Sequence, residues 1–455
     1  MIKKVALINP GRDERFAVQE PLHLGFIASY LLKNGIEVRI IDELAGQNVK
    51  EELLMFRPDL AGITATTALA PDAYRIADLC RWLGIRTVMG GVHASILPDE
   101  ALAHVDMVVK GEGENALLKI ISEDLRTGVI EEEYIKNLDE IPIPARQLMD
   151  MEFYVQAKDR IPESYLYFVP PKTRVAAILT SRGCPYDCIF CHNSWKGMPF
   201  RFNSPERVIE EIDVLVSKYQ IKALFFIEDN LFVHRSRLKK ICELLLERKY
   251  ELVWGGNARV DNVDPEILAL AKRAGCRQIT FGFESGSQKI LDILRKRTTV
   301  EQIVKAIRMT REAGLLVNGT FIIGNPEETV EDIRATQRLI RENPIDSVGI
   351  CIATPFPGTE LWNIAERQGA ISKDLKWSDF TYDRIPIWVN NKMAPQEILR
   401  YFDETVHLAR SKSTIGVRQI LVSYLFRPGK VMAQMVKAVR YPGKLMTFLR
   451  RIRLK

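Results

Sequence analysis

Short apolar segments alternate with segments of helical periodicity over the first 125 residues of the chain. The apolar segments lie at 5–9, 38–42, 60–64, 87–90 and 107–111. They are apolar nearly throughout, which is typical of parallel strands covered on both faces. Segments of helical periodicity lie at 22–33, 49–56, 72–83 and 114–123. The alternation predicts a doubly wound α/β domain over residues 1–125.

Residues 126–172 interrupt this alternation and are predicted to be a linker, because prolines punctuate them. Those prolines are Pro142, Pro144, Pro162, Pro170 and Pro171. A second alternation follows, with predicted strands at 175–180, 223–228, 252–257, 278–283, 317–323 and 348–353. Its predicted helices are 205–219, 236–249, 265–274, 300–313, 328–341 and 359–368. Six strand–helix units predict a partial (β/α)6 barrel of the TIM type over residues 173–390, and residues 391–455 are predicted to be a basic helical C-terminal region.

Polar residues follow all six predicted barrel strands. Active sites of such barrels lie at the carboxyl ends of the strands. The polar positions are the loop 181–192, Glu228-Asp229-Asn230, Asn257 with Arg259, Glu284-Ser285, Asn325 and Thr354. Their recurrence at every strand end predicts an active site at that face.

The loop after the first barrel strand carries three cysteines, Cys184, Cys188 and Cys191, at the spacing C-x3-C-x2-C. Thiolates are the ligands that hold iron–sulfur clusters in proteins. Three thiolates for a four-iron cubane leave one iron open for a substrate or cofactor. We therefore predict a [4Fe–4S] cluster, with these cysteines as its metal ligands and as catalytic residues.

Three other kinds of site share part of this cysteine pattern. Residues 188–192 match the c-type haem attachment pattern, but that chemistry needs an exported protein. A zinc site needs a fourth ligand, and His192 adjoins Cys191 too closely to share its metal without strain. A thioredoxin-like pair leaves Cys184 without a role. The remaining cysteines, Cys80, Cys242, Cys276 and Cys351, are expected in the core.

The cysteine loop resembles the signature C-x3-C-x-Φ-C of the radical S-adenosylmethionine (SAM) family, with Phe190 as the aromatic residue Φ. The resemblance extends from about residue 175 to residue 357. It implies that the open iron binds the amino and carboxylate groups of SAM. It also implies that an electron from the cluster cleaves SAM to methionine and a 5′-deoxyadenosyl radical, which abstracts hydrogen from a substrate. A reducing electron donor of the flavodoxin or ferredoxin type is a further implication.

By position, the resemblance assigns SAM contacts to the ends of four other strands. The assigned residues are Asp229 and Asn230 for the methionine amino group, Arg259 for the carboxylate, Glu284 and Ser285 for the ribose, and Ile323 and Gly324 beside the adenine. The chain departs from the family pattern at the second strand, where it has Glu228-Asp229-Asn230 and no Gly-Gly-Glu. For each residue taken singly, a salt bridge or helix cap at the barrel mouth is the alternative.

In the first domain, the expected ligand site is the crevice at the carboxyl ends of the strands. No G-x-G-x-x-G follows the first strand, which disfavours a dinucleotide. Candidate residues are Thr64, Thr66, Thr67, Gly90, Gly91, His93, Gly111, Glu112 and Gly113. Gly90 and Gly91 allow a large ligand to approach the backbone, and ordinary turn chemistry is the alternative.

The segments 21–25, 58–64, 90–94 and 111–114 together resemble the Rossmann-like cobalamin-binding domain that precedes many radical SAM barrels. This resemblance implies cobalamin as a third cofactor. None of the six histidines has an aspartate two residues before it, so the D-x-H-x-x-G motif that supplies a histidine lower ligand is absent. His93 is either a neighbour of the corrin or an ordinary loop histidine.

The charge is concentrated at the C-terminus. The chain of 455 residues has a net charge of +6, whereas residues 411–455 contain eleven basic residues and no acid. Residues 414–455 interleave these charges with apolar residues, which is typical of helices that lie on a membrane surface. A helical cap packed on the barrel is an equal alternative. The apolar content and the lack of a recognisable module argue against nucleic acid as a partner.

The protein is expected in the cytoplasm, where the basic C-terminal region would allow peripheral attachment to the inner face of the membrane. Seven cysteines do not indicate a secreted disulfide scaffold, the first apolar run is too short for a signal peptide, and no run could span a membrane.

The two resemblances imply cobalamin-dependent methyl transfer to an unactivated carbon of a hydrophobic, lipid or tetrapyrrole-like small molecule. An anaerobic oxidative cyclase, resembling the magnesium-protoporphyrin ester cyclase, is the second hypothesis. A non-catalytic corrin- or lipid-binding protein is the third.

Overall fold

The computed structural model describes residues 2–11, 19–156, 169–170, 172–192 and 198–412. The basic segment 414–455 and two of the linker prolines, Pro162 and Pro171, lie outside the described residues.

A six-stranded parallel sheet organises the first domain. Its strands are β1 (Lys4–Asn9), β2 (Glu37–Asp42), β3 (Leu60–Thr64), β4 (Arg86–Gly90), β5 (Met107–Lys110) and β6 (Gly128–Glu131), in the order β2-β1-β3-β4-β5-β6. The helices are α1 (Leu22–Lys33), α2 (Val49–Phe56), α3 (Ala70–Trp82), α4 (Val92–Ile96), α5 (Pro98–Leu102) and α6 (Gly113–Ser122). The strand order reverses between β1 and β3, and such a reversal opens a crevice at the carboxyl ends of the strands. The predicted doubly wound domain is confirmed.

Strand β6 lies in the segment that the sequence assigned to a linker. It pairs in parallel with β5 over its four residues. Only Ile130 of β6 is buried, because β6 is the edge of the sheet and its other side chains face solvent. A four-residue edge strand of this kind lacks the continuous apolar run that marked the other strands, which is why sequence analysis missed it.

The second sheet is an open half barrel. Its parallel strands are β7 (Val175–Ile178), β10 (Ala223–Phe226), β11 (Val253–Ala258), β12 (Cys276–Glu284), β13 (Leu316–Ile323) and β14 (Ser347–Ile352), each hydrogen-bonded to the next. Two short antiparallel strands, β8 (Ser181–Arg182) and β9 (Arg201–Phe202), form a ribbon after β7. The predicted partial barrel is confirmed, and its strand order follows the chain.

Helices cover the outer face of the half barrel. They are α8 (Pro205–Tyr219), α9 (Arg235–Arg248), α10 (Pro265–Arg273), α11 (Gln288–Ile293), α12 (Val300–Glu312), α13 (Val330–Glu342) and α14 (Glu360–Arg367), while the five-residue α7 (Met151–Val155) precedes the barrel. Several begin at strong caps: the Ser204 hydroxyl accepts from the backbone N–H of Arg207, and Thr299 with Gln302 forms a capping box. These local signals explain why the helix positions were predictable from sequence.

The two domains pack against each other through the segment between them. Gly25 of α1 has no room for a Cβ, because Met149 and Pro144 lie against it. Arg146 donates to Glu211 of α8 at 2.6 Å and to the carbonyl of Ala177 in β7, and all of these groups are buried. The segment is therefore a packed connection between the two sheets.

The last described element is α15 (Pro395–Lys412), which packs against β14 and α13, and its Ile398 shares a buried cluster with Ile333 of α13 and Ile323 of β13. Within the predicted basic helical C-terminal region, 391–455, residues 395–412 form this helix. Among the described residues, no helix combines the length and apolar character needed to cross a bilayer.

Candidate active site

The predicted cluster loop is held at a narrow neck formed by β8 and β9. Arg182 and Arg201 are cross-strand partners in this ribbon, and the three cysteines follow Arg182 in the chain. Gly183 has a φ of +83°, and a Cβ there would lie 2.9 Å from the carbonyl oxygen of Pro199, so the turn into Cys184 requires glycine.

Backbone contacts fix the middle of the loop against the rest of the barrel. The N–H of Ile189 donates to the carbonyl of Leu294, and the N–H of Leu361 donates to the carbonyl of Ile189. Arg297 forms an ion pair with Asp187 at 2.7 Å. The loop is thereby anchored to the segment after α11 and to the start of α14, and Cys184, Cys188 and Cys191 form no disulfide.

Arg259 lies beside one of the predicted cluster ligands. Its Nη1 is 4.0 Å from the Sγ of Cys188, its guanidinium stacks on the ring of Tyr186 at 3.6 Å, and its Nη2 donates to the carbonyl of Lys296 at 2.7 Å. The Nε of the same guanidinium forms an ion pair with Asp261 at 3.1 Å. The structure thus places Arg259, which the sequence suggested for the SAM carboxylate, in contact with the cluster loop.

Burial and neighbouring charge act in opposite directions on Cys188. Burial raises the pKa of this thiol, whereas the positive charges of Lys296 and Arg259 favour the thiolate. The thiolate is the form that binds iron. Two cations at this position therefore suit a ligand to a cluster.

Glu284, at the carboxyl end of β12, forms a buried ion pair with Lys296 at 2.7 Å. Its φ of +63° is unusual for a residue other than glycine. Gly282 has no room for a side chain because Glu284 and Lys296 fill that space. Sequence reasoning missed Lys296, which lies in a run of basic residues where no motif marks it. Ser285 is also buried and lies 3.2 Å, Oγ to Oγ1, from Thr336.

The residues after β10 present buried oxygen atoms. Glu228 accepts a hydrogen bond from the hydroxyl of Thr180 at 2.6 Å, and burial raises the pKa of its carboxyl. Asn230 donates to Asn262 at 2.6 Å. Within the described part of the chain, the second carboxylate oxygen of Glu228 and the amide oxygen of Asn230 have no hydrogen-bond partner. Asp229, between them, is exposed.

The end of β13 turns through Gly324, which has a φ of +90°. The backbone N–H groups of Gly324 and Asn325 donate to Glu328 at 2.6 and 3.0 Å. Burial raises the pKa of Glu328 to about 7. Ile323 is fully buried in the core with α13 and α15, so its side chain lies on the outer side of the sheet.

The crevice of the first domain contains a cavity of about 300 Å³. Its walls are mostly apolar. Six residues that the sequence suggested as ligand contacts line it: Thr64, Gly90, Gly91, Gly111, Glu112 and Gly113. The apolar part of the wall includes Leu7, Leu24, Ile63, Val88, Val109 and Leu117. Three barrel residues, Leu179, Arg182 and Met198, close one side. The cavity therefore lies between the first sheet and the neck of the cluster loop.

The other predicted residues of this domain lie elsewhere. Thr66 is exposed, Thr67 is buried, and neither lines the cavity. His93 is 1% exposed, its Nε2 lies 3.0 Å from the hydroxyl of Tyr74, and its ring meets Trp377 edge-on at 5.1 Å. It joins the first domain to the segment that follows the barrel.

The residues fit the predicted groups. The cavity is mostly apolar, and two of the glycines that line it pack closely against their neighbours: a Cβ on Gly91 would lie 2.6 Å from the carbonyl oxygen of Ala65, and one on Gly113 would lie 2.6 Å from Ile27. No group of three or more histidine, cysteine or acidic side chains within the described ranges could hold a single metal ion. The thiolates of a cubane bind separate irons, so they need no such convergence.

Two family models match the chain, the radical SAM superfamily over residues 178–340 and the B12 binding domain over residues 13–121. An uncharacterized methyltransferase of Pyrococcus horikoshii is 32% identical over an alignment of 390 residues that covers 79% of this chain and 81% of the relative. The anaerobic magnesium-protoporphyrin IX monomethyl ester cyclase of Rubrivivax gelatinosus is 28% identical over 75% of this chain and 65% of its own length. The hopanoid C-3 methylase of Methylococcus capsulatus is 26% identical over 81% of this chain and 72% of its own.

Solved structures share the fold at low identity. The radical SAM methyltransferase TsrM of Kitasatospora setae, with cobalamin and a [4Fe–4S] cluster bound, has a TM-score of 0.68 and 18% identity, and covers 89% of this chain and 91% of its own. The cobalamin-dependent radical SAM enzyme OxsB, with aqua-cobalamin bound, has a TM-score of 0.72 and 18% identity over 99% of this chain and 76% of its own. The chain thus belongs to the radical SAM enzymes that carry a B12-binding domain, with a [4Fe–4S] cluster, SAM and cobalamin as cofactors.

Proposed function

We propose that this enzyme transfers a methyl group to an unactivated carbon of a hydrophobic substrate. The observation that carries the proposal is the shared wall of the cavity in the B12-binding domain. Leu179, Arg182 and Met198 of the barrel form that wall, and they flank the cluster loop. A cofactor in this cavity and a cluster on the loop would therefore address one substrate between them.

When bound, the cofactors supply a radical that removes hydrogen and a methyl group that replaces it. The protein's part is to hold and orient them and to exclude water. Cys184, Cys188 and Cys191 would hold the cluster, and the positive charges of Arg259 and Lys296 would partly offset the effect of burial, which raises the pKa of the Cys188 thiol.

The residues proposed for SAM lie at the barrel mouth. The free oxygens of Glu228 and Asn230, with exposed Asp229, suit the cationic amino group of methionine. Glu284 and Ser285 are proposed for the ribose, and the backbone at Ile323 and Gly324 for the adenine. Phe190 is proposed for the same site, and the distance of 5.8 Å between the centroid of its ring and the Nζ of Lys296, the partner of Glu284, supports this.

The test is anaerobic reconstitution with iron, sulfide and hydroxocobalamin, followed by incubation with SAM carrying a labelled methyl group and a strong reductant. We expect about four irons and one cobalt per chain, and 5′-deoxyadenosine as a product. Cys184→Ala should lose the cluster and this product, whereas Cys242→Ala, a buried cysteine in α9, should keep both. A Cys184→Ala protein that still makes 5′-deoxyadenosine would refute the cluster assignment.

The substrate is then sought among lipids and tetrapyrroles by transfer of the label. Methylation adds one CH2 to the product. The second candidate, an anaerobic oxidative cyclase, is favoured by the 28% identity to the magnesium-protoporphyrin ester cyclase. It predicts gain of oxygen with ring closure and no transfer of label, so product mass separates the two.

We further propose that residues 414–455 attach the enzyme to an anionic membrane surface. Each basic residue near such a surface contributes about 1 kcal/mol. Sedimentation with vesicles of anionic lipid should pellet the full chain, while a chain ending at residue 412 stays in the supernatant. Equal pelleting of the two chains would contradict the proposal.

A further inference from the structure

The glutamates of the Gly111–Glu114 segment do more than line the cavity, because they bind both arginines of the cluster-loop neck. Glu112 accepts two hydrogen bonds from Arg201, at 2.7 and 3.0 Å, and its carboxylate lies 3.1 Å from Arg182. Glu114 accepts from Arg182 at 2.7 Å. One carboxylate therefore bridges the two strands at the base of the cluster loop, and a second holds one of them.

This cluster of four charges is largely shielded from water. The exposed fractions of the side chains are 16% for Arg182, 6% for Arg201, 13% for Glu112 and 3% for Glu114. Burial alone raises the pKa of Glu112, but hydrogen bonds from Arg201 and the charge of Arg182 hold it below the ordinary value. The cluster thus pairs two basic side chains with two acidic ones.

Buried ion pairs add little net stability compared with apolar packing of the same volume. Their directional contacts instead fix one geometry. Here that geometry spans two cofactor regions, because Glu112, Glu114 and Arg182 line the cavity, and only Gly183 separates Arg182 from Cys184. A displacement of the loop between β5 and α6 must therefore move the neck that carries the cluster.

We propose that Glu112 is a positioning residue that couples the two cofactor sites, so that cobalamin binds more tightly when the cluster is in place. The inference rests on the proposed function, because it assumes that the cavity of the first domain is part of the cobalamin site. Coupling of this kind is reciprocal, so cobalamin also stabilises the loop that holds the cluster.

The experiment measures the Kd of hydroxocobalamin for the full chain, by equilibrium dialysis, with the cluster reconstituted and after its removal by a chelator. The wild-type ratio of the two Kd values should be about five or more, the lower end of typical coupling. Glu112→Gln keeps the shape of the side chain and removes its charge, and its ratio should fall close to one.

The matched control is Glu131→Gln, which removes the exposed ion pair with Lys110 in the same domain and should keep the wild-type ratio. If Glu112→Gln does not fold, Glu114→Gln replaces it, since this change removes one of the neck's ion pairs, and its ratio should lie below that of wild type. A wild-type ratio near one, or a Glu112→Gln ratio equal to wild type, would overturn the coupling while leaving methyl transfer intact. Wild-type protein that binds no cobalamin in either state would overturn the proposed cobalamin site together with the coupling.

Discussion

The ion pair between Glu284 and Lys296 offers a quantitative test of the barrel mouth. Their side chains are 8% and 9% exposed, and their charged atoms are 2.7 Å apart. Lys296→Met leaves Glu284 buried without its cation. Loss of one partner from a buried pair costs about 3–5 kcal/mol, because the remaining charge is left uncompensated. The attraction itself at an effective dielectric constant of 20 is about 6 kcal/mol, which is large enough to account for that loss.

Removal of both charges should cost much less than removal of one. In Glu284→Met with Lys296→Met, no charge remains to be desolvated, so we expect a loss of about 1–2 kcal/mol. The coupling energy from the double-mutant cycle should then be at least about 3 kcal/mol. Lys222→Met, which removes the exposed pair with Glu251, is the control and should cost less than about 1 kcal/mol.

The assay is hydrogen exchange of the cofactor-free protein, read by mass spectrometry on peptides that span β12. The exchange of protected amides reports the free energy of opening that strand. Additive losses in the double variant would refute the reasoning, because they would show that the two charges do not stabilise each other. The same conclusion would follow if Lys296→Met cost no more than Lys222→Met.

Three further predictions concern other parts of the molecule. Burial raises the pKa of Glu328 from 4.5 to about 7. The stability that this group contributes is therefore greatest below pH 4.5, falls as the pH rises to 7 and then levels off. Urea titrations across this range should show that fall in the wild type and not in Glu328→Gln. Gly91→Ala places a Cβ 2.6 Å from a carbonyl oxygen at a φ of +93°, so the Kd of cobalamin should rise several-fold, whereas Gly84→Ala, with a φ of +73° and open space, should leave it unchanged. Trp377→Phe removes a 2.7 Å hydrogen bond to Glu100 and keeps an aromatic ring, so calorimetry should show a loss of about 1.5–3 kcal/mol, with Trp82→Phe, at an exposed tryptophan, as a near-neutral control.

Much of the fold was predictable because its signals are local. Helix α8 was predicted over the residues that the structure shows, 205–219, because Ser204 caps it and Pro205 begins it. The strands of both sheets other than β6 were found because parallel strands covered on two faces form continuous apolar runs. Strand β6 was missed because only one of its four residues is buried.

Some features of the candidate site were likewise predictable from the sequence, and others were not. The sequence by itself determined the three cysteines, since their spacing on one loop is itself the chemical signal, and it determined the glycines that line the cavity. Only the tertiary structure decided which charges pair. Arg259 contacts the cluster loop, Lys296 forms an ion pair with Glu284, and Glu112 binds the two arginines of the neck. A charged side chain has the same identity in every context, but its partner depends on which strands and loops packing brings within hydrogen-bond distance, and that information is spread over the whole chain.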